Sequence, residues 1–300
     1  MVDKKHQHWV PASYLAAWAD PNRPAHYDPY VQIFARDGGA HTTRAPQNIF
    51  HMPDLYTIFS EGGRDLSIES AFGQWEDSFV RVRNRIEAGQ DISEEDVAIL
   101  YVFTGAMLAR PPHRITFIAN QWAHIVEQAR SIRIDPNVPP IPSLSKGPSM
   151  SLDEAQQLYD DPMGTWFRDN LANNIEVLAS RFGCDVLVNR SEHPFLTSDD
   201  PAVIQHPPRD ARFRNMPRGL GSPGCEITLP ISPRTALLFR HKTPSPAIHD
   251  YLAADWETVF ETNSSTITRA RHKIISDRED LFFVKTITDM VAEVECGKPP

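Results

Sequence analysis

The sequence predicts an α+β fold in which a layer of long helices packs on a mainly antiparallel sheet. Apolar residues recur at helical spacing over about 66–134 and 151–182, whereas runs typical of strands are concentrated in the C-terminal half. The order of elements is mixed and has no repeated βα unit, which argues against a parallel sheet. Because no change of composition marks a boundary, we expect residues 1–300 to form a single domain.

The N-terminal quarter is predicted to combine one short helix with strands. The spacing of Tyr14, Leu15 and Trp18 fits a short helix that begins after a proline. Residues 30–35 alternate in polarity as a strand does, and an Arg-Asp-Gly-Gly turn sequence follows them. A second strand is expected within 54–60.

Three long helices are predicted next. The first carries a single apolar stripe whose residues are three or four positions apart, namely Ile68, Phe72, Trp75, Phe79, Val82 and Ile86. The second begins at Ser93, since a serine N-cap followed by three acidic residues is a typical helix start. The third covers about 115–132. A Ser-x-x-Glu capping box at 151–154 starts a further helix, and another covers about 171–182.

The remaining segments are predicted to be loops and strands. Residues 135–149 contain five prolines, so we expect an internal crossing loop there, without a domain boundary. A loop rich in Pro, Gly and Arg follows at 209–224. Strand-like runs lie at 184–190, 194–201, 225–231, 235–240, 273–276 and 281–285, and a helix is expected at 255–270.

Composition limits the classes of function. The chain has 30 Lys and Arg against 39 Asp and Glu, and this net charge of −9 disfavours a dedicated nucleic-acid or anionic-membrane binder. No apolar run is long enough to span a membrane, the N-terminus has no signal-peptide hydrophobic region, and no CxxC pair is present. We therefore expect a soluble cytoplasmic protein.

Several segments together resemble a known family. They are HWVPASYLAAW at 8–18, QNI at 47–49, DLY at 54–56, RPPHR at 110–114, PFLTSDDPA at 194–202 and LPISP at 229–233. In this order they are similar to the bacterial domain-of-unknown-function family numbered 4238, over about 5–280. The resemblance implies a family without implying an activity.

His6 and His8 are candidate metal ligands. Two imidazoles at i and i+2 lie on one face of an extended segment, and such pairs bind Zn, Fe or Mn when a carboxylate completes the set. Asp199 is the carboxylate that we assign to this set. The alternative is a terminal histidine pair in which His8 is simply hydrogen-bonded beneath the neighbouring aromatic residues.

The TSDDP sequence is a second candidate, because functional side chains often follow the end of a rigid strand. Asp199 would act as a general base or metal ligand, while Thr197 and Ser198 would contact a phosphate or carbonyl oxygen. The alternative is a local turn in which these side chains bind neighbouring backbone N–H groups.

Three further residues complete the candidate set. Glu76 flanks the apolar stripe beside a tryptophan and is suited to general acid or base chemistry. Arg110 ends a helix and would clamp an anionic substrate, or else would cap that helix's carbonyl groups. Asn48 is included among the substrate-binding residues.

These candidates lead to two hypotheses. If His8, Glu76, Arg110 and Asp199 converge on one cleft, the protein is a metal-assisted hydrolase, similar to a nuclease or phosphoesterase, with a divalent metal ion and an anionic small-molecule substrate. The alternative is a non-enzymatic binding module in which the motif residues are structural and the aromatic residues Trp9, Tyr14 and Trp18 form a recognition surface.

Two basic clusters leave nucleic-acid binding open as a minority hypothesis. The first comprises Arg209, Arg212, Arg214 and Arg218, and the second comprises Arg269, Arg271, His272 and Lys273. Either cluster could contact phosphates. Solvated loops paired with nearby acids are the alternative.

Overall fold

A computed structural model describes residues 6–24, 26–60, 63–132, 150–207, 218–243 and 245–295. The predicted crossing loop at 135–149, and Arg209, Arg212 and Arg214, lie outside these residues. The described helices are α1 (Ala12–Leu15), α2 (Ser67–Glu87), α3 (Glu94–Ala109), α4 (Pro112–Ser131), α5 (Leu152–Asp160), α6 (Pro162–Trp166), α7 (Asn173–Arg181), α8 (Trp256–Arg269) and α9 (Leu281–Glu295).

The strands fall into two larger sheets and two hairpin-like pairs. They are β1 (His6–His8), β2 (Val31–Ala35), β3 (His41–Arg44), β4 (His51–Pro53), β5 (Ile58–Ser60), β6 (Gly63–Asp65), β7 (Phe182–Asn189), β8 (Thr197–Ser198), β9 (Val203–Gln205), β10 (Glu226–Ser232), β11 (Thr235–His241), β12 (Tyr251–Ala254) and β13 (Lys273–Ser276). One sheet has the order β12-β7-β11-β10-β9, and the other has the order β3-β2-β13-β8.

The predicted α+β class is confirmed. Every strand pair in the two larger sheets is antiparallel except β12 with β7. The five-stranded sheet comes from the C-terminal half, as expected. The four-stranded sheet joins β2 and β3, from the beginning of the chain, to β13, near its end.

The helix starts follow the sequence signals. At the beginning of α3, Ser93 Oγ accepts the Asp96 N–H at 3.2 Å, and the Ser93 N–H donates to Asp96 Oδ2 at 3.0 Å. The apolar stripe of α2 packs on α3, where the rings of Phe79 and Phe103 are stacked with centroids 3.6 Å apart.

None of the described helices combines the length and apolar character needed to cross a membrane.

The aromatic N-terminal segment belongs largely to the core. Tyr14 and Trp18 are fully buried. The Tyr14 hydroxyl donates to the Pro230 carbonyl at 2.6 Å, and Trp18 Nε1 donates to the Phe195 carbonyl at 2.8 Å. These two residues therefore cannot form the exposed recognition surface that the binding-module hypothesis assigned to them.

One predicted strand is wrong. Residues 281–285 begin α9, where Asp280 accepts the Phe283 N–H at 2.9 Å and the buried side chains of Phe283, Val284 and Ile287 follow helical spacing. The strand expected within 54–60 is β5 at 58–60, which follows a turn where Asp54 adopts a left-handed φ of 53°.

Candidate anion-binding site

The structure brings Glu76 and Arg110 together with the backbone of His8, but in the interior of the protein. Arg110 has only 2% of its surface exposed. Its Nη1 donates to Glu76 Oε1 at 2.7 Å, its Nη2 donates to the His8 carbonyl at 2.5 Å, and its guanidinium lies 4.2 Å from the ring centroid of Phe72. These contacts favour a structural role for Arg110, since the guanidinium is not accessible to a substrate.

The imidazole of His8 has its hydrogen-bond partner outside this ion pair. Its Nε2 lies 3.2 Å from the Gln47 carbonyl, and burial is the main reason that its pKa is lowered. The ring of His51 packs edge-on against the rings of both His6 and His8. Asn48 is exposed, at the end of the short 3-10 turn Pro46–Asn48.

The structure does not group His6, His8 and Asp199 as the predicted metal site requires. Within the described part of the chain, no three His, Cys, Asp or Glu side chains are grouped so that they could hold a metal ion. Both carboxylate oxygens of Asp199 already accept hydrogen bonds from backbone N–H groups. Oδ1 accepts the Arg271 N–H and Oδ2 accepts the His272 N–H, each at 2.8 Å.

Asp199 therefore connects the end of β8 to the beginning of β13. These strands are neighbours, with Ser198 paired to Ile274, so the residues after β8 lie beside the residues before β13. The Asp199 N–H also donates to the Lys273 carbonyl at 3.2 Å. Burial raises the pKa of Asp199, and the two backbone N–H groups oppose that rise.

Ser198 binds a neighbouring backbone N–H group, as the turn alternative expected, whereas the partner of Thr197 is a side chain distant in sequence. Thr197 Oγ1 lies 2.7 Å from the Tyr14 hydroxyl, and Ser198 Oγ accepts the Asp200 N–H at 3.1 Å. Both residues are fully buried. Neither hydroxyl is positioned to contact a substrate.

The next residue, Asp200, is different. It is fully buried, and neither of its carboxylate oxygens has a hydrogen-bond partner among the described residues. Its Oδ2 lies 3.5 Å from His113 Nε2 and 3.5 Å from Arg269 Nε. Burial raises the pKa of Asp200, while the charges of Arg114, Arg269 and Arg271 lower it.

These neighbours of Asp200 come from three segments of the chain. His113 and Arg114 lie in the first turn of α4, Arg269 is the last residue of α8, and Arg271 precedes β13. Together with Asp200 they form what we call the Asp200 cluster. Several of its buried nitrogen atoms have no hydrogen-bond acceptor within the described ranges, namely His113 Nε2, Arg114 Nε, Arg114 Nη2 and Arg269 Nε.

The charge of the Asp200 cluster is unbalanced. Burial, followed by the charges of Arg271, Arg114 and Arg269, lowers the pKa of His113 to about 4, so its imidazole is neutral at pH 7. Three guanidinium groups then lie near two carboxylates, those of Asp199 and Asp200, which leaves one positive charge in excess. Each buried donor without an acceptor costs about 1–3 kcal/mol. An anion with several oxygen atoms would satisfy the donors and balance the charge.

Sequence reasoning missed this combination although its parts were visible. Asp200 was within the TSDDP sequence, and Arg269 and Arg271 were within a recognised basic cluster. His113 and Arg114 stood in RPPHR, which we used only for the family resemblance. The missing information was the pairing of β8 with β13, which links residues more than 70 positions apart.

Comparison with known proteins places the chain in one family. Residues 6–280 match the sequence model of a family described as "Protein of unknown function (DUF4238)". Neither the curated proteins nor the solved structures that were compared contain a significant match.

Proposed function

Since the chain belongs to DUF4238, a family described only as of unknown function, its activity must be inferred from its site, and we propose that it hydrolyses a phosphoester at the Asp200 cluster. This is the nuclease-like or phosphoesterase-like activity expected from the sequence, moved to a different set of residues. The metal ion is left out of the proposal, because the described residues contain no suitable group of ligands.

One observation carries the proposal. Buried nitrogen atoms of His113, Arg114 and Arg269 lie around the buried Asp200 carboxylate, and neither they nor its oxygens form a hydrogen bond among the described residues. Guanidinium groups bind phosphate oxygens through paired hydrogen bonds, and such groups also stabilise the charge of a phosphoryl-transfer transition state. A phosphate is therefore the anion that suits this site best.

The neutral imidazole of His113 supplies a general base. Asp200 would hold the imidazole with Nε2–H toward the carboxylate, which leaves Nδ1 free to accept a proton. His113 would take a proton from water as the water oxygen forms a bond to phosphorus. The bond from phosphorus to the leaving alcohol then breaks, and His113 returns the proton to that alcohol's oxygen. Arg114 and Arg269 would bind the non-bridging oxygens.

Hydrolysis of p-nitrophenyl phosphate and bis(p-nitrophenyl) phosphate tests the proposal. We expect H113N to reduce kcat by about 100-fold or more, since a general base contributes on that scale. H124N is the matched control, because His124 is exposed on the same helix, and it should leave kcat unchanged. Equal activity of H113N and the wild type would contradict the proposal. Phosphate binding without turnover would support the non-enzymatic binding module instead.

A further inference from the structure

A second concave surface adjoins the Asp200 cluster. It is a depression of about 660 Å³ next to the turn that joins α8 to β13. Its lining includes the cationic side chains Arg36, Arg271 and Lys273 and the apolar side chains Ile267, Val291 and Ala292. We call this depression the Arg271 groove.

Arg271 connects the two sites. Its side chain lines the groove, and its charge acts on both His113 and Asp200. Its backbone N–H is held by Asp199 Oδ1 at 2.8 Å, so the position of this residue is fixed by the same strand pairing that positions Asp200. A ligand bound through Arg271 could therefore contact both surfaces.

The groove has the chemistry of a site for a nucleoside attached to a phosphate. Its volume is in the range of small-molecule sites and is larger than one phosphate needs. Arg36 is held at the groove by hydrogen bonds to the Ile267 and Thr268 carbonyls, each at 3.3 Å. Among the described residues Asp37 is the one carboxylate in the lining, and its Oδ1 accepts the Gly39 N–H at 2.9 Å. The apolar wall from α8 and α9 offers a surface for a base or a sugar.

We propose that the Arg271 groove binds the nucleoside of a substrate whose phosphate lies in the Asp200 cluster. The substrate class is then a nucleoside phosphoester. This inference rests on the proposed function, and it adds a specificity site to it.

Calorimetric titration with inorganic phosphate and with adenosine 5′-monophosphate tests this inference. We expect the nucleotide to bind at least about tenfold more tightly than phosphate. V291E, which places a negative charge in the groove, should remove that difference without changing phosphate binding. M290E is the matched control, because it adds the same charge at an exposed neighbouring position of α9 that does not line the groove. K273Q is a second groove variant, which removes a positive charge from the lining where V291E adds a negative one.

The outcomes separate the two proposals. Equal affinities for phosphate and nucleotide, or a nucleotide affinity that neither V291E nor K273Q reduces, would overturn the groove assignment. The proposed function would survive that result if R114Q still reduced the affinity for phosphate by about tenfold or more. If the wild type bound neither ligand, both proposals would be wrong.

Discussion

Two adjacent aspartates have opposite environments in this protein. Asp199 has both carboxylate oxygens bound by backbone N–H groups, whereas Asp200 has none of its oxygens bound among the described residues. Burial alone therefore does not determine whether the fold satisfies a carboxylate. The distinguishing feature is whether the local backbone satisfies the group.

The lowered pKa of His113 predicts a pH dependence of stability. Its folded-state pKa is about 4, against about 6.5 in the unfolded chain. As the pH falls from 6.5 to 4, the unfolded state binds a proton that the folded state does not, so the free energy of unfolding decreases over that window. H113N should lack this part of the decrease.

Urea unfolding at several pH values between 7 and 4 measures the effect. The wild type and H124N should lose more stability than H113N over this range. Because His8 and His51 also have lowered pKa values, the relevant quantity is the difference between variants. Parallel pH curves for H113N and the wild type would show that His113 is not held neutral.

At the scale of elements, the contact between α3 and α7 requires a glycine. A Cβ at Gly105 would lie 2.5 Å from Ile175 Cγ1 and 3.2 Å from the Ile175 backbone N and Cα. Alanine improves helix propensity by about 1 kcal/mol, but overpacking costs about 1–3 kcal/mol. Since the nearest atoms include backbone, we expect G105A to lower the free energy of unfolding.

The glycine in α2 gives a matched comparison. A Cβ at Gly73 would meet no atom within 4 Å, so G73A should raise the free energy of unfolding by up to about 1 kcal/mol. Chemical denaturation of both variants compares the two effects directly. If G105A raised the free energy of unfolding, α3 and α7 would be able to move apart without losing stability.

The Arg110–Glu76 pair connects β1, α2 and α3. R110M leaves the partly buried Glu76 carboxylate without its partner, and removing one member of such a pair costs about 3–5 kcal/mol. The double variant R110M/E76M should recover most of this loss, because no charge is then left unpaired. Urea unfolding of the single and double variants forms a double-mutant cycle. If the losses of stability in R110M and E76M simply added in the double variant, this result would contradict the pairing.

At the scale of the molecule, signals between residues close in sequence were sufficient to predict helices α2 and α3. The Ser93 capping sequence and the stripe of α2 depend only on residues a few positions apart, and both predictions are confirmed. The strand predicted at 281–285 failed because a short apolar run fits either a strand or the buried side of a helix.

The site required information that no local pattern contains. Glu76 and Arg110, two of the four side chains expected to share one cleft, form an ion pair in which Arg110 is buried, and this burial was not predictable from their spacing. The Asp200 cluster depends on β8 pairing with β13 and on the position of the start of α4. Non-local pairing of this kind cannot be read from one sequence by periodicity.

Direct titration of the protein with inorganic phosphate at pH 7 and low salt tests the anion site most directly. We predict that the wild type binds phosphate, that R114Q reduces the affinity by about tenfold or more, and that D200N increases it by removing the competing negative charge. R130Q is the control, because Arg130 is exposed on the same helix and contacts Gln156. Absence of binding, or equal affinities for R114Q and R130Q, would contradict an anion site at the Asp200 cluster.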